Sequence, residues 1–217
     1  MRTDPSRLGA CLTLAAVATL TLTGCAEAIR SSGSGSGADS AATTAREVQI
    51  FEDFACPHCA AFHDHYGGMV HGLVSGGAAE VDYRIVDFLG RGDPESWSTR
   101  AATSYYCMEE ALGDSDAATG TLHGFQTWLF EQAPAQPDDE ALVAQAGEMA
   151  PDAGTADQIG QCITADGTAG RIESAMSDFT DFGLRGVPSV YSPAEGTLYN
   201  PEEHGDLKVW LTGSGAR

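Results

Sequence analysis

The most constraining feature of this chain is a pair of cysteines separated by two residues, Cys56 and Cys59, where a predicted strand meets a predicted helix. The segment Arg46–Glu52 is rich in apolar and β-branched residues, which is typical of a strand. From Cys59 to Leu73, apolar residues recur at helical spacing and form one face. Alternation of apolar and polar residues over Val81–Ile85 predicts a second strand. The sequence therefore predicts a β-α-β unit with the cysteine pair at the start of its helix.

The start of a helix is chemically suited to a reactive cysteine. Unpaired backbone N–H groups and the helix dipole favour an anion there, so we expect Cys56 to hold a stabilised thiolate, the form that attacks disulfides. Cys59 is close enough along the helix to form a disulfide with Cys56 or to resolve a mixed disulfide. His58 offers a further donor or positive charge, and Pro57 suits the first helical turn. A pair in this position is typical of a redox site.

Two segments of the sequence resemble the DsbA family of disulfide oxidases. The segment Phe51–Cys59, with Pro-His between its cysteines, is similar to the active-site segment of that family. The segment Arg185–Val190 is similar to the family's cis-proline loop, so the resemblance implies that Val187 and Pro188 lie against the active-site disulfide and that the Val187 backbone pairs with an incoming peptide. The resemblance also implies an α/β chain with a thioredoxin fold and an inserted helical domain.

One position departs from the family's pattern. Many relatives carry a buried acid six residues before the first cysteine, where it assists proton transfer, and this chain has Ile50 there. Glu52 and Asp53 are acids close to that position. Either is a candidate for handling the proton of the cysteine pair.

The resemblance assigns the rest of the chain to two parts. Residues 46–90 and 166–217 are predicted to form the thioredoxin-fold domain, and residues 91–165 the helical insertion. Apolar stripes at helical spacing predict helices throughout the insertion. Beyond the insertion, the sequence predicts a helix around Ile172–Phe179, a strand at Val187–Tyr191 and a closing helix over residues 201–212.

Two further cysteines, Cys107 and Cys162, fall within the predicted insertion. Disulfides persist in exported proteins, and these two cysteines remain for each other once Cys56 and Cys59 are paired. We therefore expect a structural disulfide between Cys107 and Cys162. Two buried thiols, or a second redox pair that relays electrons, are the alternatives.

The beginning of the chain is predicted to direct export. A basic start followed by an uncharged apolar stretch over residues 8–24 is typical of a secretory signal. The stretch ends in Leu-Thr-Gly-Cys25, which resembles the lipobox of bacterial lipoproteins. We expect residues 1–24 to be a signal peptide and Cys25 to carry the lipid, with cleavage after Ala28 as the alternative. Residues 25–45 are rich in Gly and Ser and are predicted to be a linker that holds the protein at the outer face of the cell membrane.

The expected function is donation of disulfides to cysteine-containing exported proteins through Cys56 and Cys59, without a cofactor. The resemblance implies re-oxidation by a membrane quinone-linked partner of DsbB or VKOR type. A net charge of −20 argues against nucleic acid as a partner, because phosphates would be repelled. Two alternatives remain open. The same site could serve a reductase or isomerase, or the chain could be a copper- or zinc-binding lipoprotein that uses Cys56, Cys59 and His63 as ligands.

Lipidation of Cys25 can be tested in cells with a fatty-acid analogue. The wild type is expected to be labelled and to fractionate with membranes, and Cys25→Ser is expected to lose the label, because the thiol is the group that accepts the lipid. Cys11→Ser is the control, since it removes a cysteine from the preceding apolar stretch and should keep the label. Unlabelled, soluble wild-type protein that begins after residue 25 would contradict the prediction.

Overall fold

The computed structural model of the chain describes residues 46–165 and 167–213. Within them, one mixed sheet has helices on both of its faces. Its strands are β1 (Glu47–Glu52), β2 (Glu80–Ile85), β3 (Ser189–Ser192) and β4 (Thr197–Leu198). They lie in the order β2-β1-β3-β4, with β1 parallel to β2 and antiparallel to β3, and with β4 antiparallel to β3.

The helices of the described residues are numbered in chain order. They are α1 (Pro57–Ser75), α2 (Trp97–Leu112), α3 (Asp116–Glu131), α4 (Asp139–Met149), α5 (Ala153–Thr164), α6 (Ala169–Asp181), α7 (Pro201–His204) and α8 (Leu207–Leu211). Helices α2 to α5 follow one another between β2 and α6, and this arrangement confirms the predicted α/β fold class with inserted helices. In the described part of the chain, no helix has both the length and the apolar character needed to span a membrane.

The central strand β1 sends alternate side chains to the two faces of the sheet. Val48 and Ile50 pack with residues of α1 and α8, including Val70 and Leu211. Phe51 faces the other way and packs with residues of α6. Glu52 follows Ile50 by two residues, so its side chain lies on the same face as α1. The sheet thus places an acid under the first turn of that helix.

Side-chain caps fix where the inserted helices begin. Each accepts a hydrogen bond from an N–H of the first turn, and the caps of α2, α3, α4 and α5 are Ser96, Ser115, Asp138 and Asp152. Helix α1 begins differently. Its N-cap residue is Cys56, the side chain of which makes no capping hydrogen bond. The first N–H groups of α1 therefore receive no hydrogen bond from the side chain of the N-cap residue.

Some elements near the end of the chain differ from the prediction. The strand predicted at Val187–Tyr191 begins only at Ser189, because Pro188 has no N–H to contribute to the ladder. The closing helix predicted over residues 201–212 is two short helices, α7 and α8. They are separated at Gly205, which has a φ of 71°, a conformation that favours glycine.

The inserted helices share one apolar core, and a disulfide crosses it. Cys107 of α2 is bonded to Cys162 of α5, with 5.7 Å between their Cα atoms. Around Cys107, the side chains of Tyr105, Tyr106 and Met108 are almost fully buried. The bond therefore links α2 and α5 within the same packed core to which Cys56 and Cys59 belong.

Loss of this disulfide is expected to weaken the fold and to spare the chemistry of the Cys56–Cys59 pair. Because the bond closes a loop of 55 residues, Cys107→Ala should lower the free energy of unfolding by about 3–4 kcal/mol in the chain-entropy account. Denaturant unfolding, with Cys162→Ala as the matched variant, measures the loss. Peptide oxidation that fails in a variant of unchanged stability would instead point to an electron relay.

Candidate active site

Cys56 lies at the N-cap position of α1, and Pro57 is the first residue of the helix. The backbone of Cys56 is extended, with φ −88° and ψ 116°, and its carbonyl accepts the N–H of Ala60 at 3.1 Å. Its sulfur is therefore next to the helix start, where unpaired N–H groups and the dipole favour an anion. The side chain of Cys56 is only 7% exposed.

The proline loop lies directly against this cysteine. The Sγ atom of Cys56 is 3.6 Å from the carbonyl oxygen of Val187, and the Val187–Pro188 peptide bond is cis. Val187 and Pro188 are each half-buried. The structure thus brings together the two segments that carry the sequence resemblance, although they are 131 residues apart.

Cys59 has a very different environment from Cys56. Its side chain is fully buried, and its Sγ accepts the backbone N–H of Asp53 at 3.5 Å. Burial raises the pKa of the Cys59 thiol far above its usual range, and the nearby Glu52 carboxyl raises it further. Cys56 and Cys59 are both free thiols in the structure. At neutral pH, the Cys59 sulfur of the reduced pair therefore carries a proton.

Glu52 is the acid that lies under this cysteine. It is fully buried at the end of β1, and burial raises the pKa of its carboxyl from 4.5 to about 8. Its Oε2 accepts a hydrogen bond from Nε2 of Gln126 in α3 at 2.8 Å. Its Oε1 has no hydrogen-bond partner among the described residues. The carboxyl is therefore mostly protonated at neutral pH, near the protonated Cys59 thiol.

Asp53, the other candidate acid, is fully buried, and its carboxylate is held by hydrogen bonds. Its carboxylate accepts hydrogen bonds from Ala55 N, Leu89 N and Ser98 Oγ at 2.8, 2.8 and 2.6 Å. Burial raises the pKa of Asp53, and these donors act in the opposite direction. Since its oxygens are already bonded, Asp53 fastens the loop before Cys56 and is not free to exchange a proton.

The histidines near the pair do not form a ligand set with it. His58 is exposed. Nε2 of His63 is 2.9 Å from Oγ1 of Thr127, and burial lowers the pKa of its imidazole to about 4. Within residues 46–165 and 167–213, no group of three or more His, Cys, Asp or Glu residues is placed to hold a metal ion. The proposed metal set of Cys56, Cys59 and His63 therefore finds no support.

Gln126 and Ser98 were not predicted as parts of the site. Gln126 follows Phe125 on a helix that shows an apolar stripe, and Ser98 lies in the first turn of α2. Both are almost fully buried. A buried polar residue in a helix leaves no local pattern by which the sequence identifies its distant partner.

A cysteine pair at the start of a helix, with a proline loop against its first sulfur, defines a redox site of the thioredoxin type. A profile of the family described as Thioredoxin matches residues 37–211, and the chain belongs to this family. No curated protein sequence matches the chain.

Solved structures show the same fold. The chain is similar to MdbA, a thiol-disulfide oxidoreductase from Corynebacterium matruchotii, with 19% identity, a TM-score of 0.64 and coverage of 77% of this chain and 81% of that one. MdbA from Corynebacterium diphtheriae gives 18% identity, a TM-score of 0.61 and coverage of 78% and 83%. The oxidised form of DsbA from Mycobacterium tuberculosis gives 26% identity, a TM-score of 0.57 and coverage of 77% and 83%.

The raised pKa of Glu52 makes the stability of the reduced protein depend on pH. The folded carboxyl keeps its proton up to pH about 8, whereas the unfolded chain releases it near 4.5. The unfolding free energy should therefore fall as pH rises between these values, with a contribution from Glu52 of up to about 1.4 kcal/mol per pH unit.

Urea unfolding of the reduced protein across this range measures the slope. Glu52→Gln should give a shallower slope because it removes the titrating group. Glu47→Gln, which changes an exposed acid on the same strand, should keep the wild-type slope. Equal slopes for the wild type and Glu52→Gln would contradict the assignment.

Proposed function

We propose that this protein is a thiol-disulfide oxidoreductase that donates its Cys56–Cys59 disulfide to cysteine-containing exported proteins. The observation that carries the proposal is the contrast between the two sulfurs. Cys56 is at the helix start and 3.6 Å from the Val187 carbonyl, whereas Cys59 is fully buried above an acid. The similarity to MdbA and DsbA supports the same class of reaction.

The reaction begins at the oxidised pair. A substrate thiolate attacks Cys56 Sγ, the bond between Cys56 and Cys59 breaks, and Cys59 leaves as a thiolate. Because burial raises the pKa of Cys59 far above its usual range, this thiolate takes up a proton. We assign this proton to Glu52, which is protonated at neutral pH and is close enough to Cys59 to raise the pKa of its thiol.

The second step releases the product. The other thiolate of the substrate attacks the substrate sulfur of the mixed disulfide, and Cys56 leaves as a thiolate. Two electrons have then passed from the substrate to the cysteine pair. The helix start stabilises the Cys56 thiolate, and exposed His58 adds a donor or positive charge near the pair. Stabilisation of the reduced form is what makes such a pair an oxidant.

Two further parts of the proposal concern the cellular setting. The reduced pair is returned to the disulfide by a membrane quinone-linked partner of DsbB or VKOR type. Residues 1–24 direct export, Cys25 carries a lipid anchor, and residues 25–45 connect that anchor to the folded domain. These three segments lie outside the described residues, and their support is the sequence pattern.

The direction of transfer can be tested by equilibration with glutathione. The wild type is expected to be clearly more oxidising than thioredoxin, which lies near about −270 mV. His58→Ala should be less oxidising, and each ~30 mV corresponds to about 1.4 kcal/mol of lost preference for the reduced form. His65→Ala is the matched control, since this exposed histidine of α1 packs on Tyr66. A potential near that of thioredoxin with no change in His58→Ala would favour the reductase or isomerase.

The separate roles of the two cysteines predict opposite behaviour in single variants. Cys56→Ser should abolish peptide oxidation, because the attacked sulfur is gone. Cys59→Ser should accumulate mixed disulfides through Cys56, because no second sulfur resolves them. Incubation with a disulfide-bonded peptide, whose disulfide the Cys56 thiolate attacks with release of one peptide thiolate, followed by mass spectrometry, distinguishes them. In the reduced wild type, Cys56 should be alkylated first, and faster alkylation of buried Cys59 would reverse the assignment.

A further inference from the structure

The proposed mechanism requires protons to move between the buried Glu52 carboxyl and solvent. Each turnover takes one proton from Glu52 to Cys59, and the substrate dithiol releases two protons to solvent. One of these must replace the proton that Glu52 gave up, and re-oxidation of the pair returns a proton by the same route. Glu52 is 0% exposed, so its carboxyl cannot exchange with bulk water directly. A buried carboxyl that cycles in this way needs a path to solvent.

The groups that surround Glu52 indicate where such a path begins. Cys59 of α1 lies on one side, and the phenol groups of Tyr83 in β2 and Tyr105 in α2 are close enough to interact electrostatically with the carboxyl. Gln126 of α3 donates the hydrogen bond to Oε2. Three of these four residues, Tyr83, Tyr105 and Gln126, also line one cavity.

This cavity, here called the α1–α3 cavity, has a volume of about 300 Å³ and lies between α1, α2, α3 and the edge strand β2. Its inner wall includes Gln126 and Tyr105, which are each 1% exposed. Its lining also includes Gly113 and Asp114, which are exposed residues of the loop between α2 and α3. The cavity therefore extends from solvent to the residue that holds the Glu52 carboxyl.

The lining of the α1–α3 cavity is chemically suited to water. At about 30 Å³ for each molecule, it has room for roughly ten waters. Tyr83 and Tyr105 line the cavity, and a phenol hydroxyl group can both donate a hydrogen bond to water and accept one from it. His71 and His123 stack on the same lining with 4.7 Å between ring centroids, and imidazole nitrogens both donate and accept.

We infer that the α1–α3 cavity holds the water chain through which Glu52 exchanges its proton with solvent, and that Gln126 positions the Glu52 carboxyl at its inner end. The inference rests on the proposed role of Glu52 as the proton donor to Cys59. Proton exchange is then separated from substrate access, because substrates meet Cys56 at the Val187–Pro188 loop, whereas the proton travels between the inserted helices and β2.

The experiment follows the exchange of the Glu52 proton itself. In the reduced full-length protein, the infrared band of a protonated buried carboxyl is recorded after rapid transfer into D₂O, and its absence in Glu52→Gln assigns it. The matched pair is Thr119→Phe and Thr121→Phe. Both threonines are half-buried in α3 and bond the carbonyl four residues earlier, but only Thr119 lines the cavity.

Thr119→Phe is expected to slow the deuterium shift of the band at least about tenfold, because the ring displaces water from the cavity. Thr121→Phe should shift as fast as the wild type. Val74→Phe fills the cavity from α1 and should also slow the shift, which keeps the test decisive if Thr119→Phe does not fold. Equal rates in the cavity variants and Thr121→Phe would overturn the route.

Gln126→Leu tests the positioning role. The variant keeps a side chain of similar size but removes the hydrogen bond that lowers the pKa of Glu52. The carboxyl band should move in frequency and titrate at higher pH, and the deuterium shift should remain fast. An unchanged band would overturn the role of Gln126. If Glu52→Gln removes no band at all, the proposed proton donor is wrong and the route falls with it, whereas the glutathione measurement still decides the direction of disulfide transfer.

Discussion

The arrangement of this site depends on one buried carboxylate that does no redox chemistry. Asp53 accepts three hydrogen bonds, from Ala55, Leu89 and Ser98, which belong to the loop before α1, the loop after β2 and the first turn of α2. Its own carbonyl accepts the N–H of Cys56 at 2.9 Å. Burying a carboxylate raises the free energy of the folded protein unless hydrogen bonds replace those that water gave its oxygens. The three segments that supply these hydrogen bonds are therefore held in place around Asp53. Asp53 is therefore one of the points at which the helical insertion is attached to the active-site loop, beside the packing of Phe54 on Tyr105 and Phe130.

With the loop fixed, the chemistry follows from unequal burial of neighbouring groups. Cys56 lies at the start of α1 and contacts the proline loop. Cys59 lies one helical turn later and is fully buried, as is Glu52. Burial disfavours charge on both Cys59 and Glu52, so in the reduced protein each of these groups holds its proton at neutral pH. Asp53 is as fully buried as Glu52, so burial alone does not decide the protonation of an acid in this site. Three donors stabilise the charged form of Asp53, whereas Glu52 accepts a hydrogen bond from one amide and its pKa rises to about 8.

The sequence could predict the parts of this site that depend on local order. The strand, the Cys56–Cys59 pair and α1 follow from residue spacing and from the chemistry of a helix start. The sequence also offered Glu52 and Asp53 as candidates for handling the proton, and the proposal of Glu52 rests on the different hydrogen-bond partners of the two acids. Gln126 is 74 residues from Glu52, and Ser98 is 45 residues from Asp53. Contacts of this range leave no local pattern, and a two-residue strand such as β4 is too short to give one.

The Cys107–Cys162 bond makes the protein a product of the kind of reaction that it is proposed to perform. Within the described residues, the cysteines follow one another along the chain in the order Cys56, Cys59, Cys107 and Cys162. The pairs at the active site and in the insertion are consecutive in that order, so oxidation of each cysteine with the next one along the chain gives both pairs without rearrangement. A disulfide donor of the proposed kind therefore has the chemistry needed to form the Cys107–Cys162 bond in its own new copies.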